Sequence, residues 1–257
     1  MLGAIAGDII GSRFETDPVK SRDFALFAPE CTYTDDAVLS VAVAESLLEG
    51  RPCDSMLRHY FCLYPHADYG GNFCRWAQGE GRASYNSYGN GAAMRVSPVG
   101  WCFDDLDTVL AEAEKTALPT HSHPEGVKGA QAVAAAIFLA RREKDRGRLR
   151  HYLETRFGYD LSRSLDSIRP DYRFDVTCQG SVPEALIAFF EAEDFEDAVR
   201  GAVSLGGDSD TQACIAGSVA EAYFGGVPQG IQEEVWARLD DRLARVVRRF
   251  REAVDLN

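Results

Sequence analysis

The sequence lacks a long uninterrupted apolar run, and the apolar stretch at its start is broken by Asp8. Because no basic segment followed by an apolar one is evident, we expect neither a secretion signal nor a membrane-spanning helix. A C-x-x-C pair is also missing, although the chain has seven cysteines, an odd number. Scattered thiols argue against a disulfide framework or a zinc ribbon and favour a cytoplasmic protein.

Positive charge is scarce. The chain has 27 Lys and Arg against 40 Asp and Glu, for a formal net charge of −13. Because nucleic-acid phosphates are bound by basic surfaces, this balance argues against a general nucleic-acid binder. Arginines near the end of the chain are interleaved at helical spacing with Leu243, Val246, Val247 and Phe250. We interpret that segment as an amphipathic helix with a solvated basic face.

Three catalytic signatures are absent from the sequence. It contains no G-x-S-x-G, which marks a serine hydrolase, and no G-x-x-x-x-G-K-[ST], which marks a phosphate-binding loop. It also has no His-Asp dipeptide, which disfavours an all-α metal phosphohydrolase. A non-catalytic or metal-based function is left open by these absences.

The patterns that are present indicate helices. Apolar residues recur at three- and four-residue spacing, whereas strict alternation bounded by turns is scarce, so we predict an all-α fold. A chain of 257 residues can form one large domain with its own core, and no segment has the composition of a linker. We therefore predict one compact domain over residues 1–257.

The glycines of the first predicted helix form a stripe. Gly3, Gly7 and Gly11 are four residues apart, which would let this helix approach a neighbour closely. If the helix continues, Glu15 extends the same face. Asp8 either supports a neighbouring site or merely interrupts the apolar pattern.

Further helices are predicted after Thr34 up to Gly50, over 124–142 and over 195–205. The last should stop at the glycine pair 206–207, which frees the backbone before another helix.

A capping-box pattern at Ser181 and Glu184, with Pro183 between them, predicts a helix that starts at Ser181. The stretches 65–100 and 158–178 are interpreted as mainly irregular, and the run 87–91 is a strong loop signal.

Two short acidic motifs, TDD at 34–36 and GDSDT at 207–211, carry the strongest functional signal. Each precedes an apolar helix, so capping alone could explain either one. Together, their carboxylates would repel one another strongly in a partly dry site unless cations lay between them. Oxygen donors suit Mg²⁺ or Mn²⁺, so we predict a two-metal site. Its expected ligands are Thr34, Asp35, Asp36, Asp208, Asp210 and Thr211.

Five segments in a fixed order resemble the ADP-ribosylglycohydrolase family. They are GAIAGDIIGSRFE at 3–15, TDD at 34–36, SYGNGAAMR at 87–95, TH at 120–121 and GGDSDT at 206–211. The resemblance spans nearly the whole chain. It implies an all-α enzyme that removes ADP-ribose from a modified acceptor with two Mg²⁺ or Mn²⁺ ions.

The resemblance also implies roles for individual residues. The six predicted ligands match the family's metal ligands, and Glu15 matches a gating or acid/base residue beside the metals. Asp36 and Asp210 are competing candidates for the general base. The residues expected to face ADP-ribose are Ser87, Tyr88, Gly89, Asn90, Gly91 and His121.

The expected reaction is hydrolysis of the glycosidic bond between ADP-ribose and an acceptor, with ADP-ribosylarginine on protein as the default substrate. Serine-linked ADP-ribose and O-acetyl-ADP-ribose are alternatives, as is a non-catalytic ADP-ribose-binding or structural protein. Ala37 departs from the family pattern, because many relatives have a small hydroxyl residue there. The chain is also shorter than several members, so loops that shape substrate choice are expected to differ.

Overall fold

The computed structural model describes residues 1–79 and 83–254, and helices account for most of them. In these ranges the helices are α1 Leu2–Gly11, α2 Asp35–Glu49, α3 Cys53–Leu63, α4 Gly71–Ala77, α5 Gly91–Met94, α6 Ser97–Cys102, α7 Leu106–Ala117, α8 Pro124–Glu143, α9 Arg146–Phe157, α10 Leu165–Ile168, α11 Cys178–Glu191, α12 Phe195–Val203, α13 Ser209–Phe224, α14 Gln229–Arg238 and α15 Asp241–Ala253. The β pairing found among them is one isolated antiparallel bridge between Gly89 and Thr177. The predicted all-α class is confirmed.

Helix α13 lies at the centre of the fold and packs against α1, α8, α11 and α12. Its closest neighbour is α1, as the glycine stripe predicts. A Cβ atom at Gly7 would lie 2.6 Å from the backbone nitrogen of Cys214, and one at Gly11 would lie 2.5 Å from the Cα of Asp210. No side chain fits in that space, so the two helices touch through their backbones.

Helix α1 does not continue as a regular α-helix to Glu15. The helix stops at Gly11 and tightens into a 3₁₀ turn over Ser12–Phe14. Glu15 therefore follows the turn and leaves the helix face on which Gly3, Gly7 and Gly11 lie.

Helix α2 begins and ends where the sequence predicts. The Thr34 hydroxyl accepts a hydrogen bond from the Asp36 backbone N–H at 3.3 Å, which caps the helix. Gly50 ends it in the left-handed conformation, with a φ of 62°. The prediction for α8 over 124–142 is confirmed within one residue.

The predicted capping box at Ser181 is wrong. Helix α11 begins three residues earlier, and its cap is Thr177, whose hydroxyl accepts from the Gly180 backbone N–H at 3.1 Å. The Glu184 side chain instead accepts from Arg163 at 2.8 Å. The earlier start is fixed by a contact distant in sequence, since the Cys178 backbone N–H donates to the Tyr88 carbonyl.

The stretches interpreted as irregular are only partly so. The segment 65–100 contains α4, which packs on α3, and α5 and the start of α6, which pack on α8. Its residues 80–82 lie outside the described ranges. The segment 158–178 is irregular except for α10 and the first residue of α11. Helix α15 buries Leu243, Val246, Val247 and Phe250, as predicted.

In the part of the chain that the structure describes, no helix combines the length and the apolar character needed to cross a bilayer.

Candidate metal centre and ligand cleft

The two acidic motifs meet at the N-termini of α2 and α13. The Thr211 hydroxyl donates to the Asp36 carboxylate at 3.2 Å, although the two residues are 175 positions apart. The Thr34 hydroxyl lies 3.4 Å from the Asp210 carboxylate. The backbone contact of Gly11 with Asp210 brings the start of α13 to this point.

Asp8 fixes the start of α2. Its fully buried carboxylate accepts from the Thr34 hydroxyl at 2.7 Å, from the Thr34 N–H at 3.0 Å and from the Ala37 N–H at 3.1 Å. Because a hydroxyl has one proton, the shorter contact with Asp8 takes the Thr34 proton in preference to Asp210. Asp8 therefore supports the site from behind, which is one of the two roles that its sequence position allows.

Carboxylate oxygens converge at the centre of the site. One oxygen each from Glu15, Asp208 and Asp210 lie within 4.8 Å of one another. The Oδ1 atom of Asp36 is buried, and no residue in the described ranges forms a hydrogen bond with it. A buried acceptor without a partner is costly, and a cation held among these oxygens would supply the missing interaction. The donor set therefore fits a hard divalent metal ion.

Electrostatics support the same fit. Burial, reinforced by the charges of neighbouring carboxylates, raises the pKa values of Asp35, Asp36 and Asp210 well above the ordinary range. Burial also raises the pKa of Asp208, and it raises that of Glu15 to about 7 with help from Asp210. The positive charge near these carboxylates is too small to offset the cost of removing them from water. A divalent cation would provide the missing positive charge.

A cleft of about 380 Å³ opens over this cluster, with two different walls. The acidic wall is formed by Glu15, Asp35, Asp36, Asp208, Asp210 and Thr211. The loop wall is formed by Ser87, Gly89, Asn90, Gly91, Arg95 and His121. Thus most of the residues predicted for metal and ligand line one cavity.

Two predicted site residues are absent from the cleft lining. Thr34 is buried between Asp8 and Asp36 and borders a second cavity of about 800 Å³ instead of the cleft. Tyr88 is 49% exposed, and its ring centroid lies 5.4 Å from that of His123. The structure therefore places the Tyr88 side chain outside the cleft lining, although its backbone belongs to the ligand loop.

The ligand loop is held by the segment that precedes α11. The Asn90 N–H donates to the Val176 carbonyl at 2.8 Å, and the Cys178 N–H donates to the Tyr88 carbonyl at 2.9 Å. The Cys178 thiol lies 3.0 Å from the Gly89 carbonyl. From this fixed loop the Asn90 amide reaches across and donates to Asp208 at 2.7 Å, which joins the two walls.

The second cavity lies on the other side of Glu15. Glu15 and Asp68 line both cavities, so they form the boundary between them. The second cavity also has Asp17 and Glu30 in its lining, against one basic residue, Arg13. The Arg13 guanidinium donates a hydrogen bond to the Ala25 carbonyl at 2.8 Å and lies over the Phe14 ring.

Several lining residues were missed in the sequence. Asp68, Phe174 and Val176 belong to segments without a motif, and nothing in their spacing marks them. Phe174 and Val176 are 54% and 48% exposed at the mouth of the cleft, an unusual position for apolar side chains. Arg95 had a usable signal, because it ends the SYGNGAAMR segment and is a charged residue among apolar ones.

This geometry agrees with comparisons to known proteins. The chain belongs to the ADP-ribosylglycohydrolase family, whose sequence model matches residues 1–256. It is therefore a member of an enzyme family that hydrolyses ADP-ribose conjugates, as the sequence resemblance predicts.

Relatives cover the chain nearly end to end. ADP-ribosylhydrolase ARH3 of Homo sapiens is 26% identical, with 91% of this chain and 87% of the relative covered. ADP-ribosylarginine hydrolase Tri1 of Pseudomonas putida is 25% identical, with 95% of this chain and 76% of the relative covered. A solved structure described as an ADP-ribosylglycohydrolase-related protein complex superimposes with a TM-score of 0.73 at 26% identity, covering 97% of this chain and 95% of the other.

Proposed function

We propose that this protein is a metal-dependent hydrolase that cleaves the glycosidic bond between ADP-ribose and a side chain of a modified protein, with ADP-ribosylarginine as its substrate. The observation that carries the proposal is the meeting of two acidic helix N-termini, 175 residues apart, at one wall of a cleft whose other wall is a glycine- and asparagine-containing loop. We propose further that residues 1–257 act as one domain.

The metal site is proposed on the acidic wall. Two Mg²⁺ or Mn²⁺ ions would be held by Asp35, Asp36, Asp208, Asp210 and Thr211. Thr34, the N-cap residue of α2, would contribute its hydroxyl oxygen. Metal ions in such a site hold substrate oxygens and acidify bound water. Support comes from the unpaired Oδ1 of Asp36 and from the raised pKa values of the carboxylates.

Side chains of the protein would supply the general base and the general acid of the reaction. Hydrolysis at an anomeric carbon passes through an oxocarbenium-like state and needs a base for water and an acid for the leaving group. Glu15 borders both cavities, which suits proton transfer to or from a group that leaves on the acceptor side. Asp36 and Asp210 lie in the buried cluster and are the alternative bases.

The ligand loop suits the nucleotide end of the substrate. The Gly89 and Asn90 N–H groups already donate to the Ser87 hydroxyl and the Val176 carbonyl, which fixes the loop. The absence of side chains at Gly89 and Gly91 leaves room for a ligand to approach the loop backbone. His121, at the same wall, can meet a ligand oxygen. The positions fit ADP-ribose lying along the loop wall with its ribose toward the acidic wall.

The acceptor assignment rests on the second cavity. Four carboxyl groups, those of Glu15, Asp17, Glu30 and Asp68, line it against one guanidinium, that of Arg13. Such a lining favours a cationic group such as a guanidinium over a neutral serine or acetyl group. The name of the Pseudomonas putida relative specifies the same acceptor.

The test is release of ADP-ribose from matched peptides modified on arginine or on serine, with O-acetyl-ADP-ribose as a third substrate. We expect release from the arginine-linked peptide with Mg²⁺ or Mn²⁺ and loss of that release in EDTA. Metal-dependent release from only the serine-linked peptide or O-acetyl-ADP-ribose would overturn the acceptor assignment and keep the metal mechanism. Undiminished release in EDTA would overturn the metal mechanism.

A further inference from the structure

His121 is a buried residue with two different nitrogen environments. Its side chain is 5% exposed, and its Nδ1 atom lies 2.7 Å from the Thr120 hydroxyl oxygen. Its Nε2 atom faces the ligand loop, where a Cβ at Gly91 would lie only 3.0 Å away. The hydrogen bond that this ring forms with the described residues is on Nδ1.

Thr120 is bonded on its other side to Arg95. The fully buried Arg95 guanidinium donates through Nη2 to the Thr120 hydroxyl oxygen at 2.8 Å. An arginine has donors and no acceptor, so Thr120 must accept this bond and keeps its own proton for another partner. The nearest acceptor is Nδ1 of His121.

We propose that Arg95 and Thr120 are positioning residues that hold His121 as the neutral tautomer with its proton on Nε2, so that the ring donates a hydrogen bond into the cleft. In this arrangement Arg95 donates a hydrogen bond to the Thr120 hydroxyl oxygen, and the Thr120 hydroxyl donates to Nδ1 of His121. Nε2 must then carry the ring's proton. The identity of the recipient as an ADP-ribose oxygen rests on the proposed function, whereas the tautomer does not.

The charge distribution favours the same tautomer. The Thr120 hydroxyl is hydrogen-bonded to the buried Arg95 cation. A proton on Nδ1 would direct positive charge toward that cation, whereas a lone pair on Nδ1 directs negative charge toward it. Burial and the nearby Arg95 charge lower the pKa of His121 well below its ordinary value, so the ring stays neutral. In a neutral ring only one nitrogen has the proton, and its location decides whether the cleft meets a donor or an acceptor.

The competing arrangement puts the proton on Nδ1. It would donate to Thr120, and the Thr120 proton would turn toward Tyr85, whose phenol is close enough to interact with that hydroxyl. Nε2 would then present a lone pair, which repels a phosphate oxygen and accepts only from a ligand hydroxyl. The two arrangements thus predict opposite signs for the contact with a phosphate oxygen.

The tautomer can be measured on metal-free protein by ¹⁵N NMR of histidine-labelled material, with His121 assigned by the signal lost in His121→Gln. We expect a protonated Nε2 and an unprotonated Nδ1 in the wild type. We expect Thr120→Val to shift His121 toward a tautomer mixture and Thr120→Ser to restore the wild-type pattern. A protonated Nδ1 in the wild type would overturn the proposal even if Thr120→Val did not fold.

Ligand binding supplies the second readout. With Mg²⁺ present, Thr120→Val should bind ADP-ribose roughly tenfold more weakly, the scale of one lost hydrogen bond, and Thr120→Ser should bind normally. Thr116→Val is the matched control, because it removes a buried hydroxyl of α7 that donates to the Ala113 carbonyl. The Thr116 carbonyl, which accepts from Nη2 of Arg95 at 3.0 Å, stays in place. Equal weakening in Thr116→Val would overturn the positioning role. Failure of all proteins to bind ADP-ribose, with the expected tautomer intact, would count against the proposed function alone.

Discussion

The two walls of the cleft differ in how their polar groups are held, although each has buried polar atoms without a partner among the described residues, Nε and Nη1 of Arg95 on the loop wall and Oδ1 of Asp36 on the acidic wall. On the loop wall, Asn90, Thr120 and the backbone of the ligand loop find partners within the protein. On the acidic wall, carboxylates converge on one another although Asn90 and Thr211 bond two of them, and no described residue bonds the Oδ1 of Asp36. The difference teaches that the fold alone fixes the loop wall, whereas the acidic wall has an unmet demand for positive charge that the proposed cation would supply.

Removing the charge of the acidic wall should produce the largest effect. We expect Asp208→Asn combined with Asp210→Asn to lower the rate of hydrolysis more than about 100-fold. This loss exceeds the one typical for a residue that only hydrogen-bonds a metal ligand. Because the change relieves repulsion between buried carboxylates, the metal-free variant should melt no lower than the wild type. Rates of ADP-ribose release and melting curves of both proteins test this.

The control is Asp171→Asn, an exposed acidic residue outside the cleft lining, which should keep its full rate. Comparable turnover in the double variant would contradict the contrast between the walls, since it would show that the acidic wall needs no charge.

Metal and pH should act together on stability. The pKa is raised to about 7 for Glu15 and to about 8 for Asp8, so the folded protein holds protons that the unfolded chain has released. Stability that is fully present below the unfolded pKa values, about 4, is therefore lost as pH rises through 7 to 8. We expect the melting temperature of the metal-free protein to fall from about pH 5 to about pH 8.

Mg²⁺ or Mn²⁺ should reverse this trend, since metals bind deprotonated carboxylates. At about 100 times the dissociation constant, a ligand adds about 2.7 kcal/mol, which is roughly 5–10 °C for a chain of this size. The gain should be larger at pH 8 than at pH 5 and absent from the Asp208→Asn, Asp210→Asn variant. A gain in that variant, or an equal gain at both pH values, would place the metal elsewhere.

The smallest effect comes from the packing that brings the acidic wall together. In Gly7→Ala, the new Cβ would overlap the backbone of α13 near Cys214, so we expect a loss of about 1–3 kcal/mol in the free energy of unfolding. Gly230→Ala, in α14 with no atom within 4 Å of its Cβ, should be neutral or slightly stabilising. Urea unfolding of both variants measures the difference.

If Gly7→Ala were as stable as Gly230→Ala, then α1 and α13 could separate without cost. The start of α13 would in that case be positioned by something other than the glycine stripe.

Sequence reasoning reached the parts of this molecule that depend on local chemistry. The cap at Thr34, the stop at Gly50 and the close approach allowed by Gly7 and Gly11 follow from residue types and spacing. The three- and four-residue apolar spacing predicts the all-α fold, and the two acidic motifs, with the family resemblance, select most residues of the acidic wall.

Features that depend on distant contacts were beyond that reasoning. The start of α11 is set by Cys178 meeting Tyr88, and no local pattern reports that pairing. The outward turn of the Tyr88 ring and the placement of Asp68 between two cavities depend likewise on how irregular segments settle on the helices. Only the folded arrangement separates the residues that line the cleft from those that support it.

Helix α13 is buried from Ser209 through Ala222, and its first residues are also part of the acidic wall. The protein interior and the acidic wall are therefore the same piece of chain. A substitution on α1 that would count as a core change in another protein alters the geometry of this cleft directly. Larger side chains at Gly7 or Gly11 would displace the start of α13 and the acidic wall with it, whereas the loops around the cleft are not tied to the core in this way.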